Sequence, residues 1–202
     1  MTEHFYEPAA GHRLPHDPLN AIVAPRPIGW IGTVSADGRR NLAPYSFFNL
    51  FNYQPPIIGF SSMGRKDSLR NAEATGEFVW NLATRAQAEA MNATAAATDA
   101  DEYALAGLDT LPSRLVKPER VAGSPVHFEC RVTQIVQLRS AAGSDLDQWL
   151  VLGEAVGIHI AAHLLEDGIY QTARARPITR GGGPADYFEI TEAALFRMRR
   201  PG

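Results

Sequence analysis

The stretch of this sequence richest in groups that can do chemistry is Phe60-Ser61-Ser62-Met63-Gly64-Arg65-Lys66-Asp67-Ser68. An apolar run ends in two hydroxyls, turns at a glycine, meets two cations and enters a segment with helical spacing. A helix N-terminus presents unpaired N–H groups and the positive end of the dipole, so a phosphate suits it. Ser61, Ser62 and Ser68 add hydroxyl donors, and Arg65 and Lys66 add charge. Asp67 opposes an anion unless its carboxylate caps its own helix. A solvated loop before a capped helix would use the same residues, so this spacing alone does not define a site.

A second stretch, Asn41-Leu42-Ala43-Pro44-Tyr45-Ser46-Phe47-Phe48-Asn49, mixes polar and aromatic residues in an extended segment. Pro44 lacks an N–H, so this segment cannot pair fully and belongs at an edge, a bulge or a strand end. Its backbone can therefore offer free donors and acceptors beside aromatic walls. A flat ring such as an isoalloxazine needs that mixture: apolar contact on its faces and polar groups along one edge. Core aromatics beside a turn would look the same. From these residues alone the reading stops at a ligand that carries a phosphate.

Other motifs carry less. His159 and His163 have the i,i+4 spacing of a helical metal pair, but no third ligand lies nearby and His159 reads as the end of a strand. His12 and His16 share the spacing, with Pro15 breaking any helix between them. Asn92-Ala93-Thr94 is a glycosylation sequon without a secretion signal. Gly181-Gly182-Gly183 lacks the spacing and the strand-then-helix setting of a dinucleotide-binding glycine loop. No metal site is expected.

Composition narrows the classes. With 45% hydrophobic and 20% charged residues among 202, the chain reads as one soluble globular domain over residues 1–202. The net charge of −3, with no Lys/Arg run longer than two, lacks the basic stripe of a nucleic-acid binder. No apolar run nears the ~20 residues of a membrane span, and the start resembles no signal peptide. The single cysteine, Cys130, excludes an intrachain disulfide and reads as a small packed residue. These features predict a cytoplasmic protein.

The elements that must position the two stretches follow from periodicity and turn signals. Strands are expected over 28–35, 41–51, 57–62, 77–82, 126–138, 148–160 and near 187–190. In the first of these, Ile28, Trp30, Gly32 and Val34 share one face. Asp37-Gly38 is a hairpin turn. Helices are expected over 67–75, with Asp67 or Ser68 as N-cap and Gly76 as stop, over 84–97, and near 103–106. Strands joined mostly by short turns with a few inserted helices predict an antiparallel barrel rather than a βαβ array.

Taken in order, the motifs resemble the flavin reductase-like family of FMN-binding split barrels. The matching text is Arg26-Pro27-Ile28-Gly29-Trp30-Ile31-Gly32-Thr33-Val34, Asp37-Gly38, Asn41 to Phe48 and Pro55-Pro56. It continues with Lys66-Asp67-Ser68, Asn71 and Glu77 to Asn81, and more weakly with Gly153 to His159, Arg180-Gly181-Gly182 and Tyr187. The resemblance implies a mainly β fold, a six-stranded antiparallel Greek-key split barrel with inserted helices, dimeric, with FMN near the subunit interface. It places Ala43, Pro44, Tyr45 and Ser46 against the isoalloxazine and ribityl chain. Ser61, Ser62, Arg65, Lys66, Asp67 and Ser68 fall at the phosphate, and Asn81 is a further polar contact. Residues 98 to 124 have no counterpart in it, and substrate preference is expected there.

The activity so implied is an NAD(P)H:flavin oxidoreductase, with NADH or NADPH as hydride donor and reduced flavin passed to a partner monooxygenase. An FMN-binding electron carrier or redox sensor without NAD(P)H turnover is the alternative, and a relative reducing another acceptor a third. No nucleophile–base pair is present, which agrees with a cofactor that carries the reaction. His159 is the one titratable candidate for the nicotinamide side, against a plain strand-end histidine bonded to backbone.

Overall fold

The computed structural model describes residues 2–98 and 100–201. Seven strands form one antiparallel sheet: β1 (Gly29–Val34), β2 (Arg40–Tyr45), β3 (Phe48–Asn52), β4 (Ile57–Met63), β5 (Glu77–Asn81), β6 (Val126–Arg139) and β7 (Asp145–Ile160). Their order is β2-β1-β5-β6-β7-β4-β3. The two edge strands, β2 and β3, are consecutive in the chain and separated only by Ser46 and Phe47. The expected single strand over 41–51 is thus one strand broken in the middle, whose halves close opposite edges of the curled sheet. Counted once, it leaves a six-stranded split barrel. Pro44 sits in its first half, opposite Trp30 on the edge strand, where a missing N–H costs no ladder bond.

Both faces of β1 are buried, which one-sided alternation did not anticipate. Ile31 joins an inner cluster with Tyr45, Ile58, Phe60, Leu69, Phe78, Cys130 and Val151. Ile28 and Trp30 join an outer cluster with Leu42, Met91, Tyr103, Val121 and Ile178. The outer layer comes from inserted segments, so β1 has packing on either side. The long β6–β7 hairpin carries register shifts at Leu152/Gly153 and Ala155/Gly157 that let it curl. Gly153 is needed there, because a Cβ would run into the Phe78 ring.

The helix Asp67–Thr75 ends as expected at Gly76, in the left-handed conformation with φ 72°. Its start differs. Lys66 occupies the N-cap position in extended conformation, and no side chain caps the helix. Asp67 instead pairs with Arg70 one turn on. The Ala-rich segment is helical only over Arg85–Gln87 (3-10) and Ala88–Ala93 (α), a shorter span than 84–97. The indole N–H of Trp30 donates to Thr94 Oγ1 at 3.0 Å and Thr94 Oγ1 donates to Met91 O, ending the helix. Residues 100 to 124 wrap the barrel exterior, with a short helix Glu102–Leu105 and a two-stranded ribbon Thr110–Leu111/Arg120–Val121. Cys130 is fully buried, and burial pushes its thiol well up. No described helix is long and apolar enough to cross a membrane.

Candidate functional site

A cleft of about 820 Å³ opens where the broken strand, the end of β4 and the uncapped helix meet. The structure brings Ala43, Pro44, Tyr45, Ser46, Ser61, Arg65, Lys66, Asp67 and Ser68 together on its walls. The fold explains the convergence. β2 and β3 lie at opposite ends of the sheet order, yet the strand break at Ser46-Phe47 carries one to the other beside β4, and Ser61 N–H donates to Phe47 O at 2.8 Å. Gly64, at φ 74°, reverses the chain after β4 so that Lys66 reaches the helix start. Its N–H is held by Asp147 O at 3.0 Å.

The charges of this cleft are unevenly committed. Arg65 pairs with Glu73 and lies over the Trp149 ring, its Cζ 5.7 Å from the centroid. Arg70 pairs with Asp67 and donates to Arg65 O. Among the described residues the Lys66 ammonium has no partner. The first-turn N–H groups of the helix lack a capping side chain, so they too remain open to an anion. Asp67, the one objection at the sequence level, is neutralised by Arg70 rather than by its own helix.

At the other end, Tyr45 packs on Phe60 with centroids 4.7 Å apart. Burial pushes its phenol up, against hydrogen bonding from Ser68 and Ser62. The exposed rings and side chains of Phe47 and Met63 form an apolar rim. Ser68, itself buried, accepts from Asn41 Nδ2 at 2.9 Å, and Ser61 Oγ accepts from Gln148.

Three sequence-selected residues lie elsewhere. Asn81 is fully buried, donating to Trp30 O at 3.1 Å and accepting from Val121 N–H at 2.8 Å. It ties the exterior segment to the barrel and does not line the cleft. Ser62 points inward and donates to Gly64 O at 2.9 Å. His159 is near the far end of β7 from Gln148 and is bonded to the Glu129 carboxylate, not to backbone. Among the described residues no cluster of three metal-ligating side chains occurs.

Sequence reading missed the wall formed by Thr94 to Thr98, along with Glu102 and Gln148. A run of alanines carries no chemical signal, and Glu102 looks like any helix-start carboxylate until it is found 6% exposed, accepting from Leu42 N–H. Burial pushes its carboxyl up. Most of residues 100–124 pack away from the cleft, which Thr98 and Glu102 line.

The family model for the flavin reductase like domain matches residues 23–179. An uncharacterised protein of Aquifex aeolicus is 35% identical over 170 residues, 80% of this chain and 83% of its own. Among solved structures, nitrilotriacetate monooxygenase component B from Bacillus cereus aligns with TM-score 0.82 and 31% identity, covering 89% of this chain and 90% of that one. The 2-nitrobenzoate 2-nitroreductase of Pseudomonas fluorescens aligns with TM-score 0.78 and 26% identity, over 91% and 88% of the two chains. The chain belongs to the flavin reductase-like family and has its split-barrel fold.

Proposed function

We propose that this protein is an NAD(P)H:flavin oxidoreductase working with bound FMN as a homodimer. The observation that carries the reading is the pairing, in one cleft, of the unpartnered Lys66 and uncapped helix start with the broken edge at Tyr45-Ser46-Phe47. The first offers cation and N–H donors to a phosphate. The second offers free backbone along one side and apolar walls on the other, as a ring system requires. The donor set therefore fits FMN.

Bound there, FMN would supply an acceptor for hydride from a nicotinamide. Lys66, Ser61, Ser68 and the first-turn amides would hold its phosphate. The edge of β2 from Ala43 to Ser46 would hold the ring's polar side, its amides placed to stabilise negative charge. Phe47 and Pro44 would exclude water and leave a face open for the second ring, so that positioning supplies most of the rate.

The apolar side chains of Leu50 and Phe51 on edge strand β3, and of Tyr53 just after it, are exposed. A row of this kind beside an unpaired edge favours burial against a second copy. Delivery of reduced flavin to a monooxygenase draws its support from the Bacillus cereus neighbour, by its title a monooxygenase component. Anaerobic mixing of FMN-loaded protein with NADH or NADPH tests the activity: the flavin's visible absorbance should bleach with one of them. Bleaching by dithionite but by neither nucleotide would leave an electron carrier or redox sensor instead.

A further inference from the structure

Glu102 puts a carboxyl where an anion site should have none. It is 6% exposed, opens the short helix Glu102–Leu105, and lines the same cleft as Ser61, Lys66 and Ser68. We propose that Glu102 is a proton-carrying ligand of the flavin phosphate. It acts as the neutral acid, donates its O–H to a phosphate oxygen, and makes affinity for phosphorylated flavin depend on pH. This role rests on the flavin reading of the cleft.

Three acids gather here, and two of them are neutralised. Asp67 pairs with Arg70, and Asp101 pairs with Arg40 while its other oxygen caps the Glu102 helix at the Tyr103 N–H. Arg40 is held in turn by Glu119. Among the described residues no cation pairs with Glu102. Its Oε2 accepts the Leu42 N–H of edge strand β2 at 3.2 Å. A buried carboxylate without a cation is costly, and such a group keeps its proton instead. Burial, with Asp67 and Asp101 nearby, outweighs the N–H donors of Glu102 itself and Leu42 and pushes the carboxyl up. Tyr45 on β2 is the other titratable neighbour, and burial keeps its phenol neutral.

A phosphate in this cleft gives the proton a use. Lys66 and the uncapped first turn of the helix Asp67–Thr75 supply cation and N–H donors. The neutral Glu102 carboxyl adds an O–H donor, whereas its ionised form would add a like charge. A phosphate dianion therefore tightens the hold of Glu102 on its proton, and by linkage the proton tightens the hold on the phosphate. FMN affinity is then highest where Glu102 is protonated and falls as pH rises through its titration. Riboflavin, with no phosphate, lacks this coupling.

FMN and riboflavin are titrated into apoprotein, wild type and Glu102→Gln, from about pH 7 to about pH 8.5, above the second phosphate ionisation near pH ~6. For wild type the ratio of FMN to riboflavin affinity should fall about fivefold or more over that span. In weakly buffered solution a proton should be taken up with FMN and none with riboflavin. Glu102→Gln keeps an acceptor for Leu42 but cannot ionise, so its ratio should stay level across the span. No fall in wild type, or an equal fall in both proteins, overturns the proposal. So does a loss in Glu102→Gln shared by FMN and riboflavin, which would make Glu102 a contact of the ribityl chain or ring. Should the variant not fold, wild-type proton uptake decides alone, and its absence with FMN overturns the proposal. If wild type binds neither flavin, the flavin reading falls. Phenyl phosphate then takes the place of FMN, and its binding must be proton-linked in wild type and not in Glu102→Gln.

Discussion

His159 Nε2 lies 2.6 Å from Oε1 of Glu129, a carboxylate fully buried in the sheet. The same carboxylate accepts the N–H groups of Arg114 and Leu115 at 2.8 and 2.6 Å. Glu129 thus clamps the exterior segment and the end of β7 together. Glu129→Ala should destabilise the protein by about 1–3 kcal/mol for each of the Arg114 and Leu115 N–H groups left without an acceptor. With the cleft remote, His159→Ala should slow reduction of FMN-saturated protein by less than about 100-fold, short of the ~10⁴ a general acid or base can supply. Stopped-flow reduction after full FMN loading decides; a larger fall would return His159 to the reaction.

The acid limb of stability follows from two neighbours on β6. Burial outweighs the Val121 carbonyl and lowers the His127 imidazole from 6.5 to about 4. Burial pushes Glu129 up, but the donors from Arg114, His159 and Leu115 together hold its carboxyl below the usual value. For both groups the unfolded chain binds protons more readily than the folded one. The His127 contribution is therefore full above pH 6.5 and is lost as pH falls toward 4, while that of Glu129 is lost only as pH falls below the ordinary carboxylate value of 4.5. Thermal melts between those limits should show Tm falling with pH, and His127→Phe should flatten the slope. An unchanged slope in the variant would remove His127 as its source.

Lys66→Ala should weaken FMN binding by about 1.5–3 kcal/mol, the scale of a charge-assisted hydrogen bond. Riboflavin, which lacks the phosphate, should bind both proteins alike. Parallel losses for the two ligands would place Lys66 away from the phosphate.

Asn81→Ala should act on folding and not on flavin. It removes a side-chain donor from the Trp30 carbonyl and leaves the Val121 N–H buried without its acceptor, the latter at about 1–3 kcal/mol. Chemical denaturation of apoprotein reads the first effect and FMN titration the second; lost affinity at full stability would reverse the assignment.

Edge strand β3 supplies the test of assembly. Leu50→Asp should convert the proposed dimer to monomer in sedimentation while a chain of 22.0 kDa remains folded. A wild-type protein that sediments as a monomer at micromolar concentration would exclude the interface.

What the sequence disclosed, and what it hid, divides by range. Strands, the helix stop at Gly76 and the gathering of Ser61, Lys66 and Ser68 at one loop rest on neighbours in sequence, and these were legible. The break at Ser46-Phe47 was not, because Asn41 to Phe51 is uniformly extended and only the closing of two sheet edges splits it. The place of Asn81 was hidden for a related reason: a polar residue ending a strand beside a site motif looks ligand-facing, and only the fold brings Val121, forty residues on, to its amide oxygen. The Thr94–Thr98 wall is tied to the barrel by the indole bond from Trp30 to Thr94, which no local pattern records.

The broken strand also makes one short stretch answerable to two ladders. Ser46 and Phe47 separate Tyr45, in register with Gly29, from Phe48, in register with Phe60. A residue inserted or deleted there would turn every later side chain of β3 to the opposite face, shifting Phe48 from Trp80, its stacked neighbour at 5.6 Å. Surface loops elsewhere can drift in length; this linker, though it looks like one, is a spacer of fixed gauge.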